Sequence, residues 1–346
     1  MTMETEGSCV GARSRVTRRR TLSLLAATAG LALVGPAAAK TPAPTRWQGS
    51  VLGARAQMLI HGLDERRAQR LIDIALAEVR RLERIFSLYQ AESALVRLNR
   101  DGRLDHPPLE LVALLDRARF WSAWSGGAFD VTVQPLWALY RDHFATSEAS
   151  PAGPPLRAIE ATRRLVDYRA IEIERDRVAF ARPGMAVTLN GIAQGYITDR
   201  VAKLLRGEGL EQVLIDLGEI WALGSAPGNR PWRIGLAEPS PAEKVGRLLE
   251  IVDRAVATSA PAGTLFDRTG RFHHLLDPAT GRSSRGPRSV TVVARHATDA
   301  DALSTALIVG GRDCGALNET PGTIEQILMD GVEIRSPTLK TGQFRR

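Results

Sequence analysis

Cysteine is nearly absent. Only Cys9 and Cys314 occur in 346 residues, and Cys9 falls in a stretch that reads as a removable leader. Cys314 would then stand alone, which excludes an internal disulfide. A core must hold the fold unaided, and about 300 residues are ample for that. Long apolar runs are missing too. The best candidate, Leu22 to Val34, is too short and too rich in Ala and Gly to span a bilayer stably. No Lys/Arg tract with interleaved aromatics is present, which argues against a nucleic-acid partner, and no repeat period is evident. Charge of one sign is only mildly in excess, 46 basic against 38 acidic residues, or +8. Five Arg and two Glu lie in residues 1–39, and without them the balance is 41 to 36. A chain this mildly basic suits an anionic ligand.

The N-terminus reads as an address. "TRRRTLSLLAATAGLALVGPAAAK" joins an arginine cluster, a weak apolar stretch and an A-x-A site at Ala37–Ala39 before Lys40. Arg19-Arg20-Thr21-Leu22 resembles a twin-arginine export signal, which carries proteins out already folded. Residues 1–39 are therefore expected to be a signal peptide, with a single domain over 40–346 in the periplasm and no membrane span in the mature chain.

Periodicity supplies the elements. "DERRAQRLIDIALAEVRRLERIFS" (64–87) places Leu71, Ile74, Ala75, Leu76, Val79, Leu82 and Ile85 near a 3–4 spacing and predicts an amphipathic helix. A second helix is expected within 106–127, closed by Gly126-Gly127. "GIAQGYITDRVAKLLRGEGL" predicts a helix with a glycine-rich start. Segments 49–62 and 212–224, "WRIGLAEP", "RLLEIVDRAVATS" and "SVTVVARHA" read as strands, and 170–190 as short strands around a turn. "SEASPAGPPLR" (147–157) reads as a linker or a surface loop. Helices and strands mix without a regular βαβ alternation, so an α+β class is expected, one domain with mixed sheets flanked by helices.

Four stretches carry chemistry. In "TDADALSTALIVGG" (298–311), Asp301 and Thr305 are spaced i, i+4 and share a helix face. Two readings stand. Thr298, Asp299 and Asp301 suit a helix start as caps and dipole partners, and a carboxylate beside a hydroxyl offers the hard oxygen donors that Mg²⁺ prefers. Gly191 and Gly195 flank a helix start, where free N–H groups can meet a phosphate or helices can pack closely. "FHHLLDPATGRSS" pairs His273-His274 with Asp277-Pro278, either a polar turn or the seat of a general acid or base. "SGGAFDVTVQPLWALY" sets Phe129 and Asp130 after a double glycine, either one buried aromatic in a loop or an aromatic shelf beside a carboxylate.

Taken in order, "FSLYQAESALVRLN", "GAFDVTVQPL", "NGIAQGYITD", "HLLDPATGR" and "VTVVARHATDADALSTALIVGG" resemble the ApbE family, the FAD:protein FMN transferases. The likeness runs from about Gly49 to Gly331. It implies that FAD is split at its pyrophosphate, that FMN passes to a Ser or Thr hydroxyl of a target protein, and that AMP leaves. It implies a Mg²⁺ site at Asp301 and Thr305 with Ser304 beside them and the carbonyl of Ala193 as a further ligand. It implies flavin contacts from Leu52, Tyr89, Ala128, Phe129, Asp130, Asn190, Tyr196 and Leu276, and an acid–base role for His274. Twin-arginine members of the family accompany respiratory systems, including nitrous oxide reductase maturation, so a membrane-attached respiratory flavoprotein is the expected acceptor.

The family pattern is not followed everywhere. Its "LGGD" turn reads "DLGEIWALG", which brings in Glu219. Its "GGIAKG" reads "NGIAQG", with Gln194 for Lys, and "TSG" reads "TSAP". A lost cation and a gained carboxylate would weaken FAD binding if both face the ligand. Two other readings follow: a flavin-binding scaffold that keeps the fold without the chemistry, and an FAD pyrophosphatase with water as acceptor.

Overall fold

The structure, a computed structural model, describes residues 43–51, 53–237, 245–311, 314, 324–330 and 332–334. The leader expected at 1–39, and Leu52, lie outside the described residues. In chain order the first half comprises β1 (Thr45–Val51), β2 (Ala54–Ile60), α1 (Glu65–Phe86), α2 (Ala94–Asp101), β3 (Arg103–Asp105), α3 (Leu109–Trp124), α4 (Gln134–Phe144), α5 (Leu156–Arg163), β4 (Ile171–Ile173) and β5 (Arg177–Phe180). The second half comprises α6 (Ala193–Gly207), β6 (Gln212–Asp216), β7 (Ile220–Gly224), β8 (Trp232–Ala237), β9 (Val245–Ile251), β10 (Arg254–Ser259), β11 (Leu276–Asp277), β12 (Arg282–Ser283), β13 (Val290–Ala294), α7 (Ala297–Gly310), β14 (Ile324–Met329) and β15 (Val332–Ile334).

Eight strands form one antiparallel sheet in the order β1-β2-β6-β7-β10-β13-β14-β15. Its two faces are both covered, and the period of two decides which residue goes where. Val213, Ile215, Trp221, Leu223, Ala255, Ala257, Val290 and Val292 face the helices. Their neighbours Leu214, Ile220, Ala222, Val256 and Val293 face the other way, against Trp232, Ile234, Leu249 and Ile251 of the β8–β9 hairpin. Double coverage explains why "VTVVA" is apolar at almost every position. Each buried Val, Leu or Ile contributes about 1.5–3 kcal/mol relative to exposure.

Helix α1 starts where Asp64 accepts the Arg67 N–H at 2.9 Å. It buries Ala68, Leu71, Ile72, Ala75, Val79, Leu82 and Ile85. Ile74, expected on that face, is 46% exposed, and Ile72 takes the inner place. The short α2 was not expected. Ser93 caps it by accepting the Val96 N–H, and Gly102 ends it at φ 69°. Two of the segments read as strands each hold two strands. Segment 212–224 folds back at Leu217-Gly218-Glu219 to give β6 and β7. "RLLEIVDRAVATS" breaks at Val252-Asp253, with Asp253 left-handed at φ 54°. The proline-rich stretch after α4 is a loop between α4 and α5. A third core cluster of Leu136, Tyr140, Ile159, Phe272 and Leu276 joins that region to the 264–284 segment.

Candidate functional site

Helices α6 and α7 meet closely because Gly195 has no side chain. A β-carbon there would lie 2.3 Å from the Ala297 carbonyl oxygen. The closeness lets the Gly195 N–H donate to Asp301 Oδ2 at 3.1 Å. One turn further along α6, the Asp199 carboxylate accepts the Ala297 N–H at 2.7 Å, the Thr298 N–H at 2.9 Å and the Thr298 hydroxyl at 2.6 Å. It also accepts Trp221 Nε1–H, from β7, at 2.8 Å. Burial raises the Asp199 pKa, and these donated bonds work against that rise.

The capping expected of Thr298 and Asp299 is therefore replaced. The residue at the N-cap is His296, which makes no side-chain cap bond, and Asp199 satisfies the free amides from outside the helix. Thr298 is a donor to that cap. Asp299 turns away to α3, where it accepts Arg117 Nε–H at 2.7 Å and Trp121 Nε1–H at 3.1 Å. Asp301, one turn in, is 1% exposed and reaches across to α6.

Next to Asp301 the hydroxyls gather. Ser304 and Ser259 place their hydroxyls 2.8 Å apart, and Thr305 Oγ1 lies 3.1 Å from Ser259 Oγ. Ser304 also donates to the Asp301 carbonyl at 3.0 Å. Gly191 closes the group, since a β-carbon on it would stand 3.1 Å from Thr305 Oγ1 and 3.3 Å from the Phe129 ring. Ala193 is the first residue of α6, so its carbonyl points into the helix ladder; Gly191 precedes the helix. Among the described residues no three His, Cys, Asp or Glu side chains gather as a metal group. A cation here would have one carboxylate, hydroxyls, a carbonyl and water. That all-oxygen donor set fits Mg²⁺, which keeps several waters.

The residues expected at the flavin fall into three places. Phe129 is buried against Gly191, and the Ala128 β-carbon would lie 3.0 Å from one added to Gly310. Asp130 gives one oxygen to the Thr132 N–H and hydroxyl and the other to the Tyr168 N–H, and burial raises its pKa. Asn190 is half-buried just before Gly191. Tyr196 meets Phe86 edge-on at 5.5 Å, at the end of α1, and Tyr89 stands 69% exposed in the following turn. Leu276, on β11, is buried in the third cluster.

The paired histidines differ. His274 is half-buried, with both its backbone N–H (3.1 Å) and ring Nδ1 (3.0 Å) on the Thr264 carbonyl. A carbonyl only accepts, so Nδ1 carries the hydrogen and Nε2 is the basic nitrogen of the neutral ring. His273 is turned inward, with Nε2 on the Ser284 carbonyl at 3.1 Å, and burial lowers its pKa.

Two of the three departures from the family pattern, the Gly218-Glu219 turn and Gln194, lie against each other. Gly218 has φ 106°, and a β-carbon there would meet Gln194 Nε2 at 2.5 Å. Glu219 and Gln194 are 1% and 5% exposed, so the altered turn and the altered helix start pack together instead of opening to solvent. Sequence reasoning missed Asp199, Ser259 and Arg117 as parts of this region. Asp199 closes "NGIAQGYITD" and Ser259 lies in "TSAP", but only the register of α6, β10 and α7 brings them to Asp301.

The chain resembles known proteins in sequence and in fold. A sequence profile of the ApbE family matches residues 47–328. An FAD:protein FMN transferase of Treponema pallidum is 31% identical over 288 residues, covering 74% of this chain and 78% of its own. One from Vibrio cholerae serotype O1 is 31% identical over 258 residues, covering 73% and 76%. Among solved structures, the ApbE protein of Thermotoga maritima superimposes with a TM-score of 0.74 at 27% identity, over 86% of this chain and 98% of that one. The Vibrio cholerae flavin transferase ApbE gives 0.70 at 27% identity, over 86% and 99%.

Proposed function

Because the chain belongs to the ApbE family, we infer that it moves the FMN part of FAD onto a Ser or Thr hydroxyl of a protein and releases AMP. The observation that carries this reading is the oxygen cluster of Asp301, Ser304, Thr305 and Ser259 between α6 and α7, beside Phe129. Asp301 and Thr305 would hold Mg²⁺, with Ser304 next to them. The Ala193 carbonyl, on the first residue of α6, would be the backbone ligand through the lone pair its helix bond leaves over. When bound, the cation supplies charge neutralisation at the pyrophosphate.

The remaining work falls to the chain. Phe129, Ala128, Asn190, Tyr196 and Tyr89 are assigned to the flavin side. Asp130 serves by fixing the turn that presents Phe129. His274 Nε2 takes the acceptor proton as the hydroxyl oxygen bonds to the FMN phosphorus and the bond from that phosphorus to the AMP oxygen breaks.

Location and partner complete the proposal. The arginine pair Arg19-Arg20 and Ala37–Ala39 support export by the twin-arginine route to the periplasm. No helix among the described residues is long and apolar enough to cross a membrane. That supports an enzyme meeting a membrane-attached respiratory flavoprotein from solution, as in the nitrous oxide reductase maturation type. Purified protein with FAD, Mg²⁺ and a candidate acceptor should give an in-gel fluorescent acceptor band and equimolar AMP. AMP without a labelled protein would identify water as the acceptor, and neither product would leave a flavin-binding scaffold.

A further inference from the structure

We propose that Asp199 is a positioning residue for the cation site, the clamp that holds the Asp301 carboxylate in register with the start of α6. This rests on the reading of Asp301 as a cation ligand. Two rungs tie α6 to α7, and they run antiparallel. Gly195 meets Asp301, and Asp199, four residues on, meets Ala297 and Thr298, four and three residues back. On each helix the rungs are about one turn apart and share a face.

The two rungs differ in strength and in task. Gly195 gives Asp301 one neutral amide at 3.1 Å. Asp199 takes three donors from the first turn of α7, the end of a helix whose own sequence provides no cap. Both rungs end on carboxylates, so they differ in number, three donated bonds against one. The weaker rung uses the carboxylate assigned to the cation, and the stronger one fixes where that carboxylate sits. Gly195 has no side chain, and the backbones are already in contact.

The geometry makes Asn a sharp probe. Asp199 Oδ1 accepts from Ala297 and Trp221, and Oδ2 accepts from Thr298 twice. Asn keeps one acceptor oxygen and turns an NH₂ toward one donor set. Donor would face donor, and the first turn of α7 would have to move. Trp221→Phe is the control. It removes one donor to the same carboxylate, on the sheet side, and leaves the rung to α7 whole.

Mn²⁺ alone, titrated into the full chain and followed by EPR, reads the site without turnover, with melting temperature measured in parallel. Asp199→Asn is expected to weaken Mn²⁺ binding at least tenfold. Trp221→Phe is expected to lower the melting temperature and leave Mn²⁺ binding at the wild-type value. Thr298→Val, which removes a single donor, is expected to weaken binding about threefold and serves if Asp199→Asn does not fold. Wild-type Mn²⁺ affinity in Asp199→Asn, or in Thr298→Val where that stands in, overturns the proposal. So does an equal loss in Trp221→Phe. Asp301→Asn separates the two levels: if it too binds Mn²⁺ like the wild type, the cation reading itself has failed.

Discussion

At the scale of single residues, the oxygen pair Asp301 and Thr305 could be read from spacing, because a helix puts i and i+4 side by side whatever surrounds it. Their surroundings could not. Ser259 comes from a strand more than forty positions away, and Asp299, two residues from Asp301, points at α3 instead. Asp301→Ala is expected to abolish flavin transfer in a protein that stays folded; transfer that persists in the mutant would remove the metal assignment. Thr305→Val, nearly isosteric, should raise the Mg²⁺ concentration needed for half-maximal rate. His274→Ala should slow turnover by about a hundredfold to ten-thousandfold, as loss of a general base does. A loss confined to FAD affinity would make it a binding residue. Phe129 needs a gentler probe than alanine, since truncating a buried Phe costs about 3–5 kcal/mol of stability. Phe129→Leu should weaken FAD binding measured by fluorescence quenching, and unchanged affinity would assign the ring to the core.

Among elements, those with one apolar face were legible: α1, α3 and α6 stand close to where periodicity placed them. Helix α7 was found by its ligand pattern, not its periodicity, because nearly all of its residues are buried. The β6–β7 hairpin, and the successive strands β9 and β10 of two different sheets, run together in the sequence because their faces are covered and the short turns contain few breakers. The eight-residue α2 carries its signal in a cap and a glycine too brief to register. Contact between α6 and α7 is the element on which the site depends. Gly195→Ala would force the helices apart, at a cost of about 1–3 kcal/mol, and should lower melting temperature and Mn²⁺ affinity together. At the end of β6, burial pushes the Asp216 carboxyl from 3.8 up to about 6. The folded chain therefore holds that proton more tightly than the unfolded chain. Stability from this group falls as pH rises through the window from 3.8 to about 6 and stays low above it. Asp216→Asn should flatten that fall and melt higher than the wild type at pH 7.5; a wild-type pH profile in the mutant would count against it.

For the molecule as a whole, the class was legible because one α+β domain needs only mixed periodicities, while strand order is a long-range property that no local pattern encodes. Cys314 is buried, and burial pushes its thiol up to about 12, so it should resist Ellman's reagent until the chain unfolds. Replacing Arg19 and Arg20 by Lys should leave the precursor in the cytoplasm and the acceptor unflavinylated. Mature protein in the periplasm would exclude the twin-arginine route. Strand order has a consequence in time. From β1 to β15 the numbers across the sheet only rise, so each new strand is laid beside the one made before it. A ribosome can build this sheet edge-first, without reopening what has formed. Ser259 emerges well after α6, and the helix bearing Asp301 and Thr305 later still. A nascent chain halted before residue 297 carries Phe129, α6 and Ser259 but none of the α7 groups assigned to the cation. In the proposed reaction, the growing polypeptide cannot begin to cleave FAD until α7 has been made and packed against α6.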